Sequence, residues 1–394
     1  MQKVRLGIIG IGNMGSAHAK SVVEGKVPEM ELRAVADLRG NRREWAKENL
    51  PQGIKIYEQA EELISSDEVD AVLVATPHYD HPTFVILALR NGKHVISEKP
   101  AGVYTKQVRE MNEEAQKHDL VFGLMYNQRT NPVYKKMKEL VASGKYGAIK
   151  RVNWLITDWY RTQAYYNSGG WRATWDGEGG GVLLNQCPHN LDLIQWICGM
   201  PTKIQAFCHE GKWHDIEVED DVTAYLEYEN GATGVFITST GEAPGTNRFE
   251  VDLEKAQIIC QNDELRVYEL ECSEREFCFQ AKEGFGRMKG TWTTVSTEGE
   301  NPQHNGVLRA FAGAVLRKEP LIAPGEEGIL GLEISNAMHL SSWLHKPVEL
   351  PIDEELFLKE LNKKRAGSVK KEIVQEVTFD TAGSYGDNKK AGEK

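Results

Sequence analysis

A largely apolar six-residue run, followed at once by glycines in the spacing G-x-G-x-x-G, most narrows what this chain can fold into. Residues 4–9 read VRLGII, and Gly10, Gly12 and Gly15 come next. The run has the character of a strand buried on both faces, and residues 13–24 have a helical pattern. Strand, glycine turn and helix in that order open a βαβ unit suited to a dinucleotide. In such a turn Gly10 permits the tight bend, Gly12 admits a pyrophosphate against the backbone, and Gly15 lets helix and strand pack closely. The helix start at Asn13 and Met14 offers N–H groups and partial positive charge to phosphates. The plainer alternative is a glycine turn with no ligand.

The alternation continues. Residues 31–36 read as a strand closed by Asp37, residues 71–75 (AVLVA) as a buried strand, and residues 94–97 and 120–125 as two more. Residues 82–91 and 105–118 read as helices between them. This pattern predicts a parallel sheet with helices on both faces. Asp37 is placed to accept hydrogen bonds from an adenosine ribose, which favours NAD over NADP because a 2′-phosphate would meet its charge. Arg39, Arg42 and Arg43 lie just beyond and either offset that repulsion or form the solvated face of the next helix. Two further stretches, TPHYDHP (76–82) and HVISEKP (94–100), end strands at the rim where open α/β sheets bind ligands. Cofactor contacts are expected there from Thr76, Pro77, His78, His81, Glu98 and Lys99. The Lys99 ammonium is suited to hydrogen-bond a substrate hydroxyl and stabilise alkoxide character. Pro100 suggests a cis peptide that aims it. A surface lysine is the alternative.

At 394 residues the chain is long enough for two domains. We divide it into a dinucleotide-binding domain (1–126), an α+β domain (127–360) and a tail (361–394). Residues 151–160 are strand-like, residues 222–240 form a hairpin around Asn230-Gly231, and residues 249–271 suggest further strands. Residues 304–317 and 326–345 read as helices. Asn131-Pro132 opens a linking helix, with Asn as cap and Pro in the first turn. A net charge of −11 argues against a nucleic-acid partner. With no long apolar run and no signal-peptide pattern, neither a membrane span nor export is expected, and a cytoplasmic location follows. The six cysteines contain no C-x-x-C pair, so free thiols and no metal site are expected.

The segment GEGGGVLLNQCPHNLDLIQWICG (177–199) carries the next constellation. A helix over 182–198 puts Cys187, Leu191, Ile194 and Cys198 on one stripe, and Asn185, His189, Asp192 and Trp196 on the opposite one. Pro188 either kinks this helix or marks its start. Ahead of it, residues 154–175 hold Trp154, Trp159, Tyr160, Tyr165, Tyr166, Trp171 and Trp175, with Asp158, Arg161 and Arg172. Aromatic faces pack on the C–H face of a pyranose or cyclitol while Arg and Asp bind its hydroxyls. Tyr160, Trp171 and Arg172 are the candidates for such contacts. A core or subunit-interface cluster is the alternative.

Together these stretches resemble the Gfo/Idh/MocA oxidoreductases, the family of glucose–fructose oxidoreductase and inositol dehydrogenase. The resemblance rests on GIIGIGNMG, TPHYDHP, GKHVISEKP and GGGVLLNQCPHNLD, continues in HNGVLRAFAGAVLRKEPLIAPGEEG (304–328) and WLHKPVELP (343–351), and so spans residues 3–351. It implies an α/β architecture: a Rossmann domain, then an α+β domain with a large open, mostly antiparallel sheet that pairs subunits into a homodimer or homotetramer. It implies that Lys99 is the lysine of the family's E-K-P motif and His189 the catalytic histidine of its D-x-x-x-H motif. Asn185 then stands where that motif has an acid, and an amide neither exchanges a proton nor carries charge. His78 replaces an asparagine often found after T-P. The implied activity is NAD-dependent oxidation of a secondary hydroxyl of a sugar, glycoside or cyclitol, with Lys99, His189 and Asn185 at the catalytic centre. The same groups would serve a glycoside-cleaving enzyme that recycles NAD. A non-enzymatic nucleotide sensor would not need both Lys99 and His189.

Overall fold

The strand at residues 4–9 lies inside a six-stranded parallel sheet in the computed structural model, which describes residues 2–369 and 371. Its strands are β1 (Val4–Ile9), β2 (Met30–Ala36), β3 (Lys55–Tyr57), β4 (Ala71–Val74), β5 (His94–Ser97) and β6 (Phe122–Leu124), in the order β3-β2-β1-β4-β5-β6. Helices α1 (Asn13–Val23), α2 (Gly40–Asn49), α3 (Ala60–Ser65), α4 (His81–Arg90) and α5 (Thr105–Ala115) connect them. Alternate residues of β4 enter different cores: Val72 and Val74 pack with Val85 and Leu89, whereas Ala71 and Leu73 pack with Leu6 and Ile8. Burial on both faces is why these strands read as unbroken apolar runs. The strand order reverses between β1 and β4, so a crevice opens at their C-terminal ends. The elements α2, β3 and α3 left no clear pattern in the sequence. The ten residues of α2 bury only Ala46 fully, and β3 is three residues long.

The second sheet follows α6 (Pro132–Ala142), whose Asn131 cap accepts a hydrogen bond from the Val133 N–H at 3.0 Å with Pro132 in the first turn, as the sequence indicated. Its strands are β7 (Ile149–Ile156), β8 (Lys203–Glu210), β9 (Glu219–Glu227), β10 (Thr233–Ser239), β11 (Asn247–Leu253), β12 (Ala256–Gln261), β13 (Glu264–Leu270), β14 (Gly290–Val295) and β15 (Val348–Glu349). They run in the order β14-β13-β12-β11-β7-β10-β9-β8-β15, antiparallel except for the β7–β10 pair. Helices α7 (Gln163–Tyr166), α8 (Pro188–Cys198), α9 (Glu274–Gln280), α10 (Gln303–Arg317), α11 (Gly328–Leu344) and α12 (Glu354–Ala366) complete the chain. Helix α11 packs on β8 and on α8, and Val222, Ala224 and Leu226 of β9 are buried in the same core, which accounts for the alternating burial along that strand. Helix α10 returns to the first sheet, where Val307, Leu308 and Phe311 join the core of Leu6 and Ile8.

The helix expected over 182–198 begins only at Pro188, its first-turn residue, so Asn185 lies in a turn ahead of it. That turn is held by the fully buried Glu219 of β9, whose carboxylate accepts hydrogen bonds from the N–H groups of Gly181 (2.9 Å) and Leu183 (3.0 Å). Helical periodicity misled here because α8 has no solvent face: nine of its eleven residues are buried, Asp192 and His189 among them. The tail also becomes concrete. Helix α12, capped by Asp353, runs across the expected start of the tail; it docks through Arg109–Glu354 (2.8 Å) and Lys106–Glu355 (2.6 Å) and, within the tail itself, through Lys364–Glu210 (2.7 Å) and Arg365–Asp176 (2.9 Å). Val369 N–H then donates to Glu217 at 2.6 Å. Of the 361–394 tail, residue 370 and residues 372–394 lie outside the described residues. Among the described residues, no helix is long and apolar enough to cross a membrane.

One buried ion pair ties α8 to the first sheet. Arg129, in the short turn after β6, donates from Nε and Nη2 to the two Asp192 oxygens at 2.8 and 2.6 Å, with both side chains 1% exposed. Its Nη1 reaches Glu327 at 2.5 Å. Removing one member leaves a buried charge unpaired, which costs about 3–5 kcal/mol. We therefore expect Arg129→Met to lower stability by about that amount in urea denaturation. A change below about 1 kcal/mol would show that the pair does not hold these elements together.

Candidate active site

The glycine turn has the shape a dinucleotide needs. Gly10 has φ +84°, and a Cβ there would lie 2.6 Å from the Ala75 carbonyl oxygen, so β1 and the end of β4 meet at a glycine-only contact. A Cβ on Gly15 would lie 1.9 Å from the Gly10 oxygen, which fixes the close approach of α1 to β1. At Gly12 a Cβ would meet nothing nearer than Arg39 Nη2 at 3.6 Å, so the space above the loop is open. Asn13 and Met14 begin α1 at this loop. Asp37 ends β2 with its carboxylate 5% exposed and accepts hydrogen bonds from Ile11 N–H (3.0 Å), Arg39 N–H (3.0 Å) and Arg39 Nε (3.0 Å). Arg42 Nε donates to the Ile11 carbonyl at 2.7 Å, and Arg43 donates to the carbonyls of Asp37 and Leu38. The arginines beyond β2 thus serve the loop and the strand end as well as facing outward. The glycine cradle, the helix start and the acidic strand end fit NAD.

The two rim stretches fold onto one another. Thr76 and Pro77 form the corner after β4, beside Gly10. His81 has Nδ1 2.7 Å from the Pro100 carbonyl and Nε2 2.8 Å from the Thr76 carbonyl, so its ring staples the T-P corner to the E-K-P loop. His78 Nδ1 donates to the Glu178 carbonyl at 3.1 Å. Burial holds the His78 imidazole well below its usual pKa. The Lys99–Pro100 peptide is cis, as the sequence suggested. Buried Glu98 pairs with His18 of α1 at 2.6 Å, and although burial opposes its ionisation, this partner holds it down to about 2. Lys99 Nζ donates to the Asn185 backbone carbonyl at 2.8 Å, which joins the rim of the first sheet to the turn before α8. Burial pushes the Lys99 pKa down, against the opposing pull of Glu98 and Glu178.

His189 sits in the first turn of α8, edge-on to Tyr126 with ring centroids 6.2 Å apart. Burial, and next the nearby Lys99 charge, holds its imidazole well below the ordinary value. It lines a cleft of about 1030 Å³, together with Gln128, Asp158, Tyr160, Arg161 and Asn190. Tyr160 is half exposed, and the 5%-exposed Asn190 has its carbonyl oxygen without a hydrogen-bond partner. Trp171 and Arg172 are not among the residues lining this cleft. Trp171 meets His78 edge-on at 5.5 Å, and Arg172 stacks over Trp171 (4.8 Å) and Tyr165 (4.5 Å).

Asn185 is brought to this cluster, but its side chain is already engaged. The amide nitrogen donates to Glu178, and the amide oxygen accepts from the Tyr165 hydroxyl at 3.3 Å. Sequence reasoning did not single out Glu178, Glu219, Arg129 or Asn190. For Glu178 there was a signal: an acidic residue embedded in the glycine run GEGGG. The other three show themselves only in three dimensions, because their partners lie 36 or more residues away or their role is an unfilled bond.

Comparison with known proteins agrees with this geometry. A family described as "Oxidoreductase family, NAD-binding Rossmann fold" matches residues 4–126, and one described as "GFO/IDH/MocA C-terminal domain" matches residues 134–259. The chain is similar to the myo-inositol 2-dehydrogenase of Thermotoga maritima, 27% identical over 354 residues covering 88% of this chain and 98% of that protein. It is also similar to the rhizopine catabolism protein MocA of Rhizobium meliloti, 30% identical over 52% of this chain and 61% of that one. Among solved structures, the WlbA dehydrogenase of Chromobacterium violaceum, in complex with NADH and UDP-GlcNAcA, has a TM-score of 0.75 at 24% identity, covering 90% of this chain and 97% of its own. Levoglucosan dehydrogenase, in complex with NADH and L-sorbose, has a TM-score of 0.74 at 19% identity, covering 90% and 100%. The chain belongs to the Gfo/Idh/MocA family of NAD-binding oxidoreductases that act on CH–OH groups.

Proposed function

We propose that this protein oxidises a secondary hydroxyl of an uncharged sugar, glycoside or cyclitol, reversibly, with His189 and Lys99 at the reacting oxygen. The observation that carries this reading is that Lys99 of the first sheet donates to the backbone carbonyl of Asn185, four residues before His189, so that both groups stand at the turn that leads into α8. The inositol dehydrogenases and levoglucosan dehydrogenase among the relatives support a polyol substrate. So does the cleft. Its volume lies at the upper end of the roughly 300–1,000 Å³ of small-molecule sites. Its lining of amides, with Asp158, Asp263 and Arg161 as the charged groups, suits hydroxyls rather than phosphates. The open Asn190 carbonyl is an acceptor for one of them. Tyr160 offers its face to a sugar ring at the cleft wall. Trp171 and Arg172 pack against His78 and Tyr165 beside the cluster and not in the cleft lining, and Asn185 supports the site through Glu178 and Tyr165.

NAD, held by Gly10, Gly12, Asn13, Met14, Gly15, Asp37 and the Thr76–His78 corner, supplies the hydride acceptor when bound. His189, kept neutral by burial, takes the hydroxyl proton. Lys99 donates a hydrogen bond to the same oxygen and stabilises its developing negative charge. In the reverse direction His189 returns the proton. Assembly as a homodimer or homotetramer through the open sheet, and a cytoplasmic location, complete the proposal.

General base catalysis is typically worth about 10²–10⁴ in rate. His189→Ala is expected to lower kcat by that factor while leaving NAD affinity close to wild type. Assays on a panel of cyclitols, sugars and glycosides, following NADH formation, check this. Wild-type turnover would remove His189 from the mechanism, and glycoside release without NADH would favour the NAD-recycling cleavage instead.

The pH dependence follows from the same groups. His189 must be neutral, and its pKa is lowered, so the acid limb of kcat/KM should fall well below pH 6.5. Lys99 must be charged, and its pKa is also lowered, so the alkaline limb should begin below the value near 10.5 of a free lysine. An acid limb above pH 6.5 would contradict the assignment of His189.

Asp37 is the expected ribose acceptor. Losing hydrogen bonds to a charged group costs roughly 1.5–3 kcal/mol. Asp37→Ser should therefore raise KM for NAD about ten- to a hundred-fold and narrow the preference over NADP. An unchanged NAD/NADP ratio would remove Asp37 from cofactor selection.

A further inference from the structure

Glu178 is a buried carboxylate that the proposed reaction leaves unused. It is 1% exposed and lies between glycines in the loop that precedes α8. Taking a carboxylate out of water is costly unless it is paired and fully hydrogen-bonded, so a buried one needs a reason. Its hydrogen bonds are specific. One oxygen accepts from the Asn185 side-chain nitrogen, and the other accepts from the Ala173 N–H at 2.5 Å. Its nearest cation, Arg172, stands at 3.6 Å from the first oxygen and turns its Nη1 instead to the Tyr165 hydroxyl at 2.8 Å. The ion pair is therefore loose; burial pushes the Glu178 pKa up, while Arg172 and the hydrogen bonds from Ala173 and Asn185 favour the charged form.

Asn185 is the link. Its side chain is held by Glu178 at one end and by Tyr165 at the other, while its backbone carbonyl receives Lys99 Nζ at 2.8 Å. Glu178 thus fixes the residue on which the ammonium rests, and adds negative charge across it. An asparagine cannot supply that charge. The other charged and titratable groups around Lys99 are Glu98, which is committed to His18, together with Arg172 and Arg161. His189, His78 and, on α10, His304 lie near the lysine charge, and burial lowers the pKa of each. Among the carboxylates near Lys99, Glu178 is the one that is not committed to a close ion pair.

We propose that Glu178 is a positioning residue for Lys99: acting through Asn185, it holds the ammonium in place and provides the negative charge that position 185 lacks. This rests on the reading of Lys99 as the group that polarises the reacting oxygen. It further implies that the carboxylate can be moved. An acid at position 185 should do the same work when Glu178 is neutral.

The test is the alkaline limb of the kcat/KM profile, measured on the full chain with NAD and the best polyol of the panel. An opposite charge within about 4–6 Å shifts a pKa by roughly 1–3 units, and one acting through an intervening residue belongs at the lower end of that range. Glu178→Gln should move the alkaline limb down by about one pH unit or more, with KM for NAD unchanged. Adding Asn185→Asp to Glu178→Gln should move it back toward wild type, which a purely structural role for Glu178 does not predict. Glu178→Asp keeps the charge and should keep the wild-type limb; it serves as the decisive variant should the glutamine protein not fold. A wild-type limb in Glu178→Gln, a double variant no different from Glu178→Gln, or a shifted limb in Glu178→Asp would overturn the inference. Lys99→Ala separates the two claims. Loss of turnover there, with a wild-type limb in Glu178→Gln, leaves the Lys99 reading standing and removes Glu178. Full turnover in Lys99→Ala removes the reading itself.

Discussion

The buried pair between Arg129 and Asp192 is the interaction on which the rest of the site depends. It is bidentate, removed from water, and joins the loop after the last strand of the parallel sheet to the middle of α8. His189 lies three residues before Asp192 on that helix, close to one turn. Whatever fixes Asp192 against the parallel sheet therefore fixes the imidazole against the crevice at its rim. Arg129 also reaches Glu327 and stacks over Trp196, so α8 and the turn before α11 converge on one guanidinium. A lysine could not replace it, because the planar fork makes two parallel bonds and still has a donor left.

From that anchor the site is assembled by carboxylates and carbonyls more than by apolar contact. Glu219 holds the turn before α8, the His81 ring joins the two rim loops through their carbonyls, and Lys99 closes the circuit by donating to Asn185. Each of these groups is largely removed from water, where a hydrogen bond is electrostatically stronger and an unmade one is more costly. Such a network fixes positions sharply. It also accounts for the two lowered pKa values at the centre, since burial disfavours the charged forms of His189 and Lys99 alike.

Much of this was legible in the sequence. The glycine turn, the strands β1, β4 and β5, and the two rim motifs follow from doubly buried strands whose ends carry small or functional residues. Lys99 was singled out by its place at the end of a strand on the sheet rim, His189 by resemblance, and the cis peptide before Pro100 by its motif. The sequence was less informative where burial removes pattern. Helix α8 has no polar face, so its start was placed six residues early and Asn185 was drawn onto it. Segments α2 and β3 are too exposed or too short for periodicity to register. Glu178 is marked only by its place inside the glycine run GEGGG, and Glu219 carries no local pattern, because its meaning lies in partners 36 and 38 residues away.

The central claim is that the Lys99 ammonium and the His189 imidazole share one substrate oxygen. The most direct measurement is a crystal structure of the protein with NAD and a polyol that it turns over slowly. The account predicts Lys99 Nζ and a His189 ring nitrogen both within about 3.2 Å of the same hydroxyl oxygen. A polyol whose reacting hydroxyl meets only one of the two, or lies on the far side of α8 from Lys99, would contradict it.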